Sequence, residues 1–333
     1  MKIVVAIAMS FVVLQAPAQR SPSDPIGRAD SNQPGPWDND VLIYRVAPGG
    51  QTEKLATFER AGVPTLARLS DGRLISAFQH FPSDDNRNFD RVAVRFSRDE
   101  GKAWTPAVPI VVEKMDAGLA RPFDPALVPL PDGRVRLYFT SNRNADFRRS
   151  TPAIYSSIST NGIDYVFEPG VRFAIEGRIV IDCAATLHQG VFHLFVPDNG
   201  SANEFFVGQQ RREPHRPGAG YHATSKDGLN FVRADDVTVS GNHRWLGNAQ
   251  SDGSKIIFFG TSEHRPGELN QPRGGIWTAT STDGIGWSEL RFFDVPGADP
   301  GAVATRDGGW LLAVTGPPRP GTATARRRDG FEP

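Results

Sequence analysis

The chain has 333 residues with 37 basic and 37 acidic side chains, so it carries no net charge at pH 7. This balance gives no support for a nucleic-acid or membrane-surface partner. Its one cysteine, Cys183, excludes an internal disulfide and any multi-cysteine metal site. The fold must therefore depend on a hydrophobic core, and the chain is long enough to bury one large β domain or two smaller ones.

The first 37 residues are predicted to lie outside the folded domain. Lys2 precedes an apolar run at 3–14, and the Ala-Pro-Ala at 16–18 fits a signal-peptide cleavage site. The run is too short to span a bilayer, and no later segment approaches the roughly 20 apolar residues that a membrane helix needs. We therefore expect a signal peptide over 1–18, a flexible leader over 19–37, no membrane span, and a secreted or periplasmic protein.

Two short patterns recur along the rest of the chain. The first joins a Ser, an Asp or Asn, a Gly and an aromatic residue in the four segments SRDEGKAW, STNGIDY, SKDGLNF and STDGIGW. The second places a polar-Gly turn between two short β-prone runs, as in ARLSDGRLISAF at 67–78. Repeated units of about 55 residues that contain such strands and turns are typical of a β-propeller.

We predict an all-β fold consisting of a single five-bladed β-propeller over 38–318, followed by a C-terminal tail over 319–333. The repeats predict four complete blades at 62–115, 121–177, 179–241 and 243–297. The segment 298–315 holds only one hairpin, and the hairpin predicted over 40–60 has no blade of its own. Joining the two closes the ring with strands from both ends and removes the exposed edges. A six-bladed sialidase propeller is the alternative.

The repeated Ser-Asp-Gly turn is interpreted as architecture. In each copy the Ser or Asp side chain can accept hydrogen bonds from turn amides, the Gly supplies a positive φ, and the aromatic residue packs between sheets. A residue set that is needed once in every blade is not a catalytic site. The turn resembles the Asp-box of sialidases, which implies that it lies on the rim away from the active site.

The first unit, GVPTLARLSDGRLISAFQHFPSDDNRNF, resembles the opening blade of the sialidase superfamily, and the resemblance covers 62–315. It implies a carbohydrate-active protein with its acid/base aspartate in the acidic loop, at Asp85 beside Asp84. A loop-capping role for this pair is the alternative. The arginine that binds the substrate carboxylate in that family falls at Gly62, and its Tyr–Glu nucleophile pair has no match.

Two other segments, RPFDPALVPLPDGRVRLYF and IVIDCAATLHQGVFHLF, resemble inner strands of five-bladed glycosidases of the arabinanase, xylosidase and invertase type. In those families the reacting carboxylates project from the start of inner strands into the central funnel. The resemblance therefore implies that Asp124 and Asp182 face substrate. Asp299, in ADPGAV, is a third candidate.

Aligning the blades on their first turn brings Arg60, Arg121 and Arg178 to one equivalent position. Equivalent positions in successive blades converge around one axis, so three guanidinium groups there predict an anion cradle for a carboxylate-bearing sugar. The alternative is that these arginines pair with neighbouring carboxylates such as Asp124 and only stiffen the ring.

Glycoside cleavage needs one protonated and one ionised carboxyl group. A ring of aspartates can supply both, because like charges raise one pKa while an arginine lowers another. Glu204 and Glu263 are candidate acids on loops. The seven histidines show no metal-ligand spacing, so we expect no cofactor, and an axial metal ion stays open.

Together these patterns predict a sialidase-like, exo-acting glycoside hydrolase on an anionic or polar glycan. The alternative is a propeller that binds glycan or protein without catalysis. We expect a carbohydrate as substrate or ligand, and the oligomeric state stays open.

Overall fold

The computed structural model describes residues 36–143, 151–201, 215–241, 243–262 and 275–319. Their strands form five sheets, and most neighbouring strands within a sheet are antiparallel. Blade 1 contains β3 to β6, which span Ala61–Arg68, Leu74–His80, Arg91–Ser97 and Val108–Pro109. Blade 2 contains β7 to β11, which span Val111–Glu113, Phe123–Pro129, Val135–Ser141, Ala153–Ser159 and Asp164–Phe173.

The next two sheets follow the same plan. Blade 3 contains β12 to β16, which span Ala184–His188, Val191–Pro197, Ala219–Ser225, Val232–Arg233 and Val237–Thr238. Blade 4 contains β17 to β20, which span His243–Ser251, Ile256–Ser262, Gly275–Ser281 and Arg291–Phe293.

The fifth blade combines strands from both ends of the domain. Its strand order is β2-β1-β22-β21, where β1 and β2 span Val41–Val46 and Thr52–Phe58, and β21 and β22 span Ala298–Ala304 and Trp310–Thr315. The first residue of β1, Val41, pairs with Thr315, the last of β22. The inner strands β21, β3, β8, β12 and β17 contact one another in a closed ring. The predicted five-bladed propeller and its closure are therefore confirmed, with five blades rather than six.

Strands in the middle of a blade are buried over most of their length. In β9 all seven residues are buried, because each sheet packs against another sheet on both faces. The outer strand β2 is exposed over its first three residues. A core cluster joins each pair of adjacent blades, as where Ile75 and Phe96 of blade 1 pack with Leu137 of blade 2. Stability therefore comes from burial between blades, at about 25 cal/mol per Å² of apolar surface.

Two boundaries differ from those predicted. The segment Val111–Glu113 pairs in parallel with β11 and so belongs to blade 2, whereas the sequence repeat assigned it to blade 1. Near the predicted leader, Pro36–Asp38 form a 3-10 helix, and the Trp37 ring lies 6.1 Å from Phe89. This aromatic contact packs the end of the predicted leader against blade 1. The predicted signal peptide lies outside the described residues.

The repeated Ser-Asp-Gly turns make the contacts expected of them. In blade 1, Ser97 Oγ accepts the Gly101 amide at 3.0 Å, and Asp99 Oδ1 accepts the Ala103 amide at 2.9 Å. The Trp104 ring lies 5.2 Å from Phe58 of β2. This turn therefore helps to hold blade 1 against the closing blade.

Among the described residues, no helix has the length and apolar character needed to cross a membrane.

Candidate functional site

The inner strands all begin at the same face of the propeller, which we call the aspartate face. In blade 1, Ala61 pairs with His80, and His80 pairs with Arg91. The start of the inner strand, the end of the second and the start of the third therefore lie together. The Ser-Asp-Gly turn follows Ser97, at the other end of the same sheet. The predicted funnel residues and the repeated turns thus occupy opposite faces.

Backbone geometry is unusual where the inner strands begin. Val63, Asp124, Asp182 and Asp299 have φ values of 51°, 50°, 61° and 52°, a left-handed conformation that is uncommon for residues other than glycine. In blades 1, 2 and 5 the strand pairing shifts by one residue at this point, which is a β-bulge. Bulges reorient a side chain relative to the sheet, and strained backbone of this kind clusters at functional sites.

A threonine from the preceding blade holds three of these four residues. The amide of Asp299 donates to Thr261 Oγ1 at 2.7 Å, and the amide of Val63 donates to Thr315 Oγ1 at 2.9 Å. The amide of Asp182 donates to Thr140 Oγ1 at 3.3 Å. Each threonine lies near the end of the second strand of its blade. The left-handed positions are therefore fixed by the neighbouring blade as well as by their own.

The structure brings the three predicted funnel aspartates together. Asp124 and Asp182 are close enough to share a hydrogen bond, and Asp299 is close enough to interact with both. Burial, followed by the charges of Asp182 and Asp299, raises the pKa of Asp124 well above its usual range. Burial and the charge of Asp182 likewise raise the pKa of Asp299. In both groups the protonated form is therefore favoured more strongly than in an exposed aspartate.

Asp182 differs from the other two aspartates. Burial raises its pKa, but the Arg244 guanidinium and the hydrogen bond from Asp124 oppose that rise. Asp182 is therefore the member of the cluster that ionises first. The site thus brings together carboxyl groups whose pKa values are raised to different extents, and a difference of this kind is what acid–base catalysis requires.

Arg244 is a residue of this site that the sequence analysis missed. It lies at the start of β17 and pairs across the sheet with Thr261, the residue that holds Asp299. Its guanidinium donates to Asn199 Oδ1. An alignment of the blades could have identified Arg244. Like Phe123 in blade 2 and Ala298 in blade 5, it pairs with a threonine near the end of the second strand of its blade.

The three predicted cradle arginines have partners other than Asp124. Arg121 forms an ion pair with the buried Asp90, and Arg178 forms one with the buried Asp198. Arg60 donates from Nε to the Phe81 carbonyl at 2.6 Å. At least two of the three charges are therefore balanced by carboxylates of the protein.

Asp85, the predicted acid of the acidic loop, is not part of the aspartate cluster. Asp85 lies in the loop between β4 and β5, where it accepts the amides of Arg87 at 3.1 Å and Asn88 at 3.3 Å and the Asn88 side chain at 2.5 Å. These contacts are those of a loop cap. Its neighbour Asp84 lies in the same loop. Glu204 and Glu263 lie outside the described residues.

No group of three His, Cys, Asp or Glu side chains within the described part of the chain is arranged to hold a metal ion. Cavities of about 350, 460 and 420 Å³ between blades are lined by residues other than the three aspartates. Asp124 itself is only 8% exposed.

No protein-family model and no curated protein matches the chain. Solved structures do resemble it in fold. An α-L-arabinofuranosidase from Clostridium thermocellum has a TM-score of 0.52 at 12% identity, covering 75% of this chain and 80% of its own. A glycoside hydrolase family 43 arabinoxylan arabinofuranohydrolase from Bacillus subtilis has a TM-score of 0.51 at 13% identity, and the match covers 76% of this chain and 58% of that chain. An N-acetylgalactosamine deacetylase from F. plautii has a TM-score of 0.51 at 12% identity, and the match covers 83% of this chain and 84% of that chain. At such low identity the similarity shows a shared propeller fold.

Proposed function

We propose that the protein is a glycoside hydrolase whose reacting groups are Asp124, Asp182 and Asp299. One observation carries the proposal: the three carboxyl groups meet at the aspartate face, and Arg244 favours ionisation of Asp182 over that of its neighbours. Two of the structurally similar proteins are glycosidases of arabinose-containing substrates. That similarity supports the same class of reaction here.

The directions of the pKa shifts support a role for each group. Asp182, the most readily ionised, accepts a proton from an attacking water. The water oxygen bonds to the anomeric carbon as the bond to the leaving oxygen breaks. Asp299, whose pKa is raised by burial and by the charge of Asp182, donates its proton to that leaving oxygen. Asp124 donates its hydrogen bond to Asp182 and so orients it.

The charge balance supports an uncharged polar glycan more than an anionic one. Asp90 and Asp198 already neutralise Arg121 and Arg178, so these cations attract a substrate carboxylate less strongly. The negative charge on Asp182 repels such a group as well. A sialoside is further disfavoured by Gly62, which occupies the position of the arginine that sialidases use. We therefore propose an arabinose- or xylose-containing substrate. We also propose that the protein is secreted or periplasmic, as the signal-peptide pattern at 1–18 predicts.

A panel of chromogenic arabinofuranosides, xylosides, uronides and sialosides tests this proposal. The wild type should hydrolyse an uncharged glycoside, and Asp182→Asn should reduce kcat by about 10²- to 10⁴-fold, the usual contribution of a general base or acid. Glu204→Gln and Glu263→Gln in the same panel test the two loop acids. Preference for uronides or sialosides would instead support the anion cradle.

The low exposure of Asp124 favours one alternative, a propeller that binds a glycan without cleaving it. Binding with no hydrolysis of any substrate in the panel would support that alternative.

A further inference from the structure

A second site with the composition of a carbohydrate pocket lies between blades 3 and 4. A cavity of about 460 Å³ opens there, within the range of small-molecule sites. Its inner wall includes the buried Trp245 and Trp277, and its outer wall includes Trp287 and Phe292. Phe292 is 60% exposed, so its ring is available to a ligand.

The aromatic groups of this cavity are already held in place. Trp287 lies 4.9 Å from Trp245, and its indole nitrogen donates to the Gly284 carbonyl at 3.2 Å. The Phe292 ring lies 5.3 Å from His243, whose Nδ1 is 3.0 Å from the hydroxyl of Ser262. Rings fixed before binding lose little conformational entropy when a ligand arrives.

The polar groups around the cavity indicate an uncharged ligand that is rich in hydroxyl groups. The hydroxyls of Ser240 and Ser288, the His243 imidazole and the Glu289 carboxylate lie among its lining residues. Neither lysine nor arginine lines it within the described residues. A neutral sugar has apolar C–H faces that suit aromatic rings and hydroxyls that suit these polar groups, whereas an acidic sugar would meet Glu289 without a compensating cation.

The cavity and the aspartate cluster share one strand. His243 and Trp245 of β17 line the cavity, while Arg244 between them interacts with Asp182 and Asp299. Successive side chains of a strand point to opposite sides. The cavity and the aspartate cluster therefore lie on opposite sides of β17 at residues 243–245.

We propose that this cavity is an accessory binding site for a neutral saccharide unit of the glycan whose cleavage is proposed for the aspartate cluster. The inference rests on the proposed function for the identity of the glycan. Its binding chemistry depends on Phe292, Trp287, His243 and Glu289, none of which is assigned to the reaction.

The test measures polysaccharide binding and turnover separately. Binding to soluble arabinoxylan, debranched arabinan and polygalacturonate is measured by affinity electrophoresis in an Asp182→Asn background, so that the polymer stays largely intact. Phe292→Ala should weaken binding to one of the neutral polymers by about tenfold, with no binding to polygalacturonate. The matched control is Val232→Ala, which removes an exposed apolar side chain of the neighbouring blade (71% exposed).

In the active protein, Phe292→Ala should leave kcat/KM unchanged on the chromogenic monosaccharide substrate. The accessory site is overturned if Phe292→Ala binds like Val232→Ala, if no neutral polymer binds, or if polygalacturonate binds best. If binding depends on Phe292 but no glycoside is cleaved, the accessory site stands and the hydrolase proposal fails. If a glycoside is cleaved but polymer binding does not depend on Phe292, the hydrolase proposal stands and the accessory site fails.

Discussion

The amide of Asp299 in blade 5 donates a 2.7 Å hydrogen bond to the hydroxyl of Thr261 in blade 4. Asp182 in blade 3 has the same relationship with Thr140 in blade 2, at 3.3 Å. The backbone of a funnel aspartate is thus fixed by the blade that precedes it. The geometry of the aspartate cluster therefore depends on how adjacent blades pack, and a change within one blade can disturb the reacting group of the next.

Thr261→Val should destabilise the protein and reduce turnover. Valine has nearly the same shape but cannot accept the Asp299 amide, and an unsatisfied buried amide costs about 1–3 kcal/mol. Chemical denaturation measures the free energy of unfolding. Thr278→Val is the matched control, because the buried Thr278 hydroxyl of the same blade has no hydrogen-bond partner among the described residues. Equal destabilisation by the two variants would show that the Thr261 contact is unimportant.

Arg244→Gln should move the acidic limb of the pH profile of kcat/KM to higher pH. The proposed base, Asp182, must be ionised, and Arg244 lowers the pKa of Asp182 against the effect of burial. Without that cation, the pKa of Asp182 rises and a higher pH is needed to ionise it. Arg291→Gln, at an exposed arginine of the same blade, should leave the profile unchanged. An unshifted acidic limb in Arg244→Gln would remove Asp182 from the role of base.

Asp299→Asn should abolish turnover but increase thermal stability at pH 7. Because burial raises the pKa of Asp299, the charged form that prevails in the unfolded chain at pH 7 is disfavoured in the folded state, and this difference lowers stability. Near pH 3 both states are protonated, so the stabilising effect of Asn should shrink there. Thermal denaturation at the two pH values measures it, with the exposed Asp294→Asn as control. An increase in thermal stability that is the same at both pH values would contradict a raised pKa for Asp299.

Local patterns were sufficient to predict the fold. Each Ser-Asp-Gly turn contains its own hydrogen-bond partners within a few residues, so the repeat marks one blade end wherever it occurs. The ring closure followed because the hairpins at 40–60 and 298–315 were each incomplete. Asp124 and Asp182 were identifiable because the segments that carry them resemble inner strands of five-bladed glycosidases, in which the reacting carboxylates project into the funnel.

Pairings between distant residues could not be predicted in the same way. Arg121 and Asp90 are 31 residues apart, and Arg178 and Asp198 are 20 apart, so no common spacing links the arginines to their partners. Arg244 is one of many arginines in the chain, and its role depends on aspartates contributed by two other blades. The three-residue strand at Val111–Glu113 is too short to show which neighbouring sheet it joins.

A pair of buried histidines should make the protein sensitive to acid. His193 Nδ1 lies 3.0 Å from His222 Nε2. Burial, followed by a neighbouring histidine, lowers the pKa of each to about 4. Both are neutral in the folded state, so stability is complete above the unfolded pKa of about 6.5 and falls as the pH decreases from there to about 4.

Each of these histidines should contribute up to about 1.4 kcal/mol per pH unit within that window. His222→Gln, which keeps a polar side chain that does not titrate, should flatten the dependence of the unfolding free energy on pH. The control is His215→Gln, at an exposed histidine. A slope in His222→Gln as steep as in the wild type would assign the acid sensitivity to other groups.

The pairing of Val41 with Thr315 also sets an order for folding. Blades 1 to 4 are each built largely from one stretch of chain and can form local contacts early, whereas blade 5 must wait until two distant hairpins meet. Closing so long a loop is entropically costly and slow. Before that step, the edges of β1 and β22 are unpaired and open to other chains. Completion of blade 5 is therefore the step at which this propeller is most exposed to misassembly, and a chain lacking either hairpin would remain at that stage.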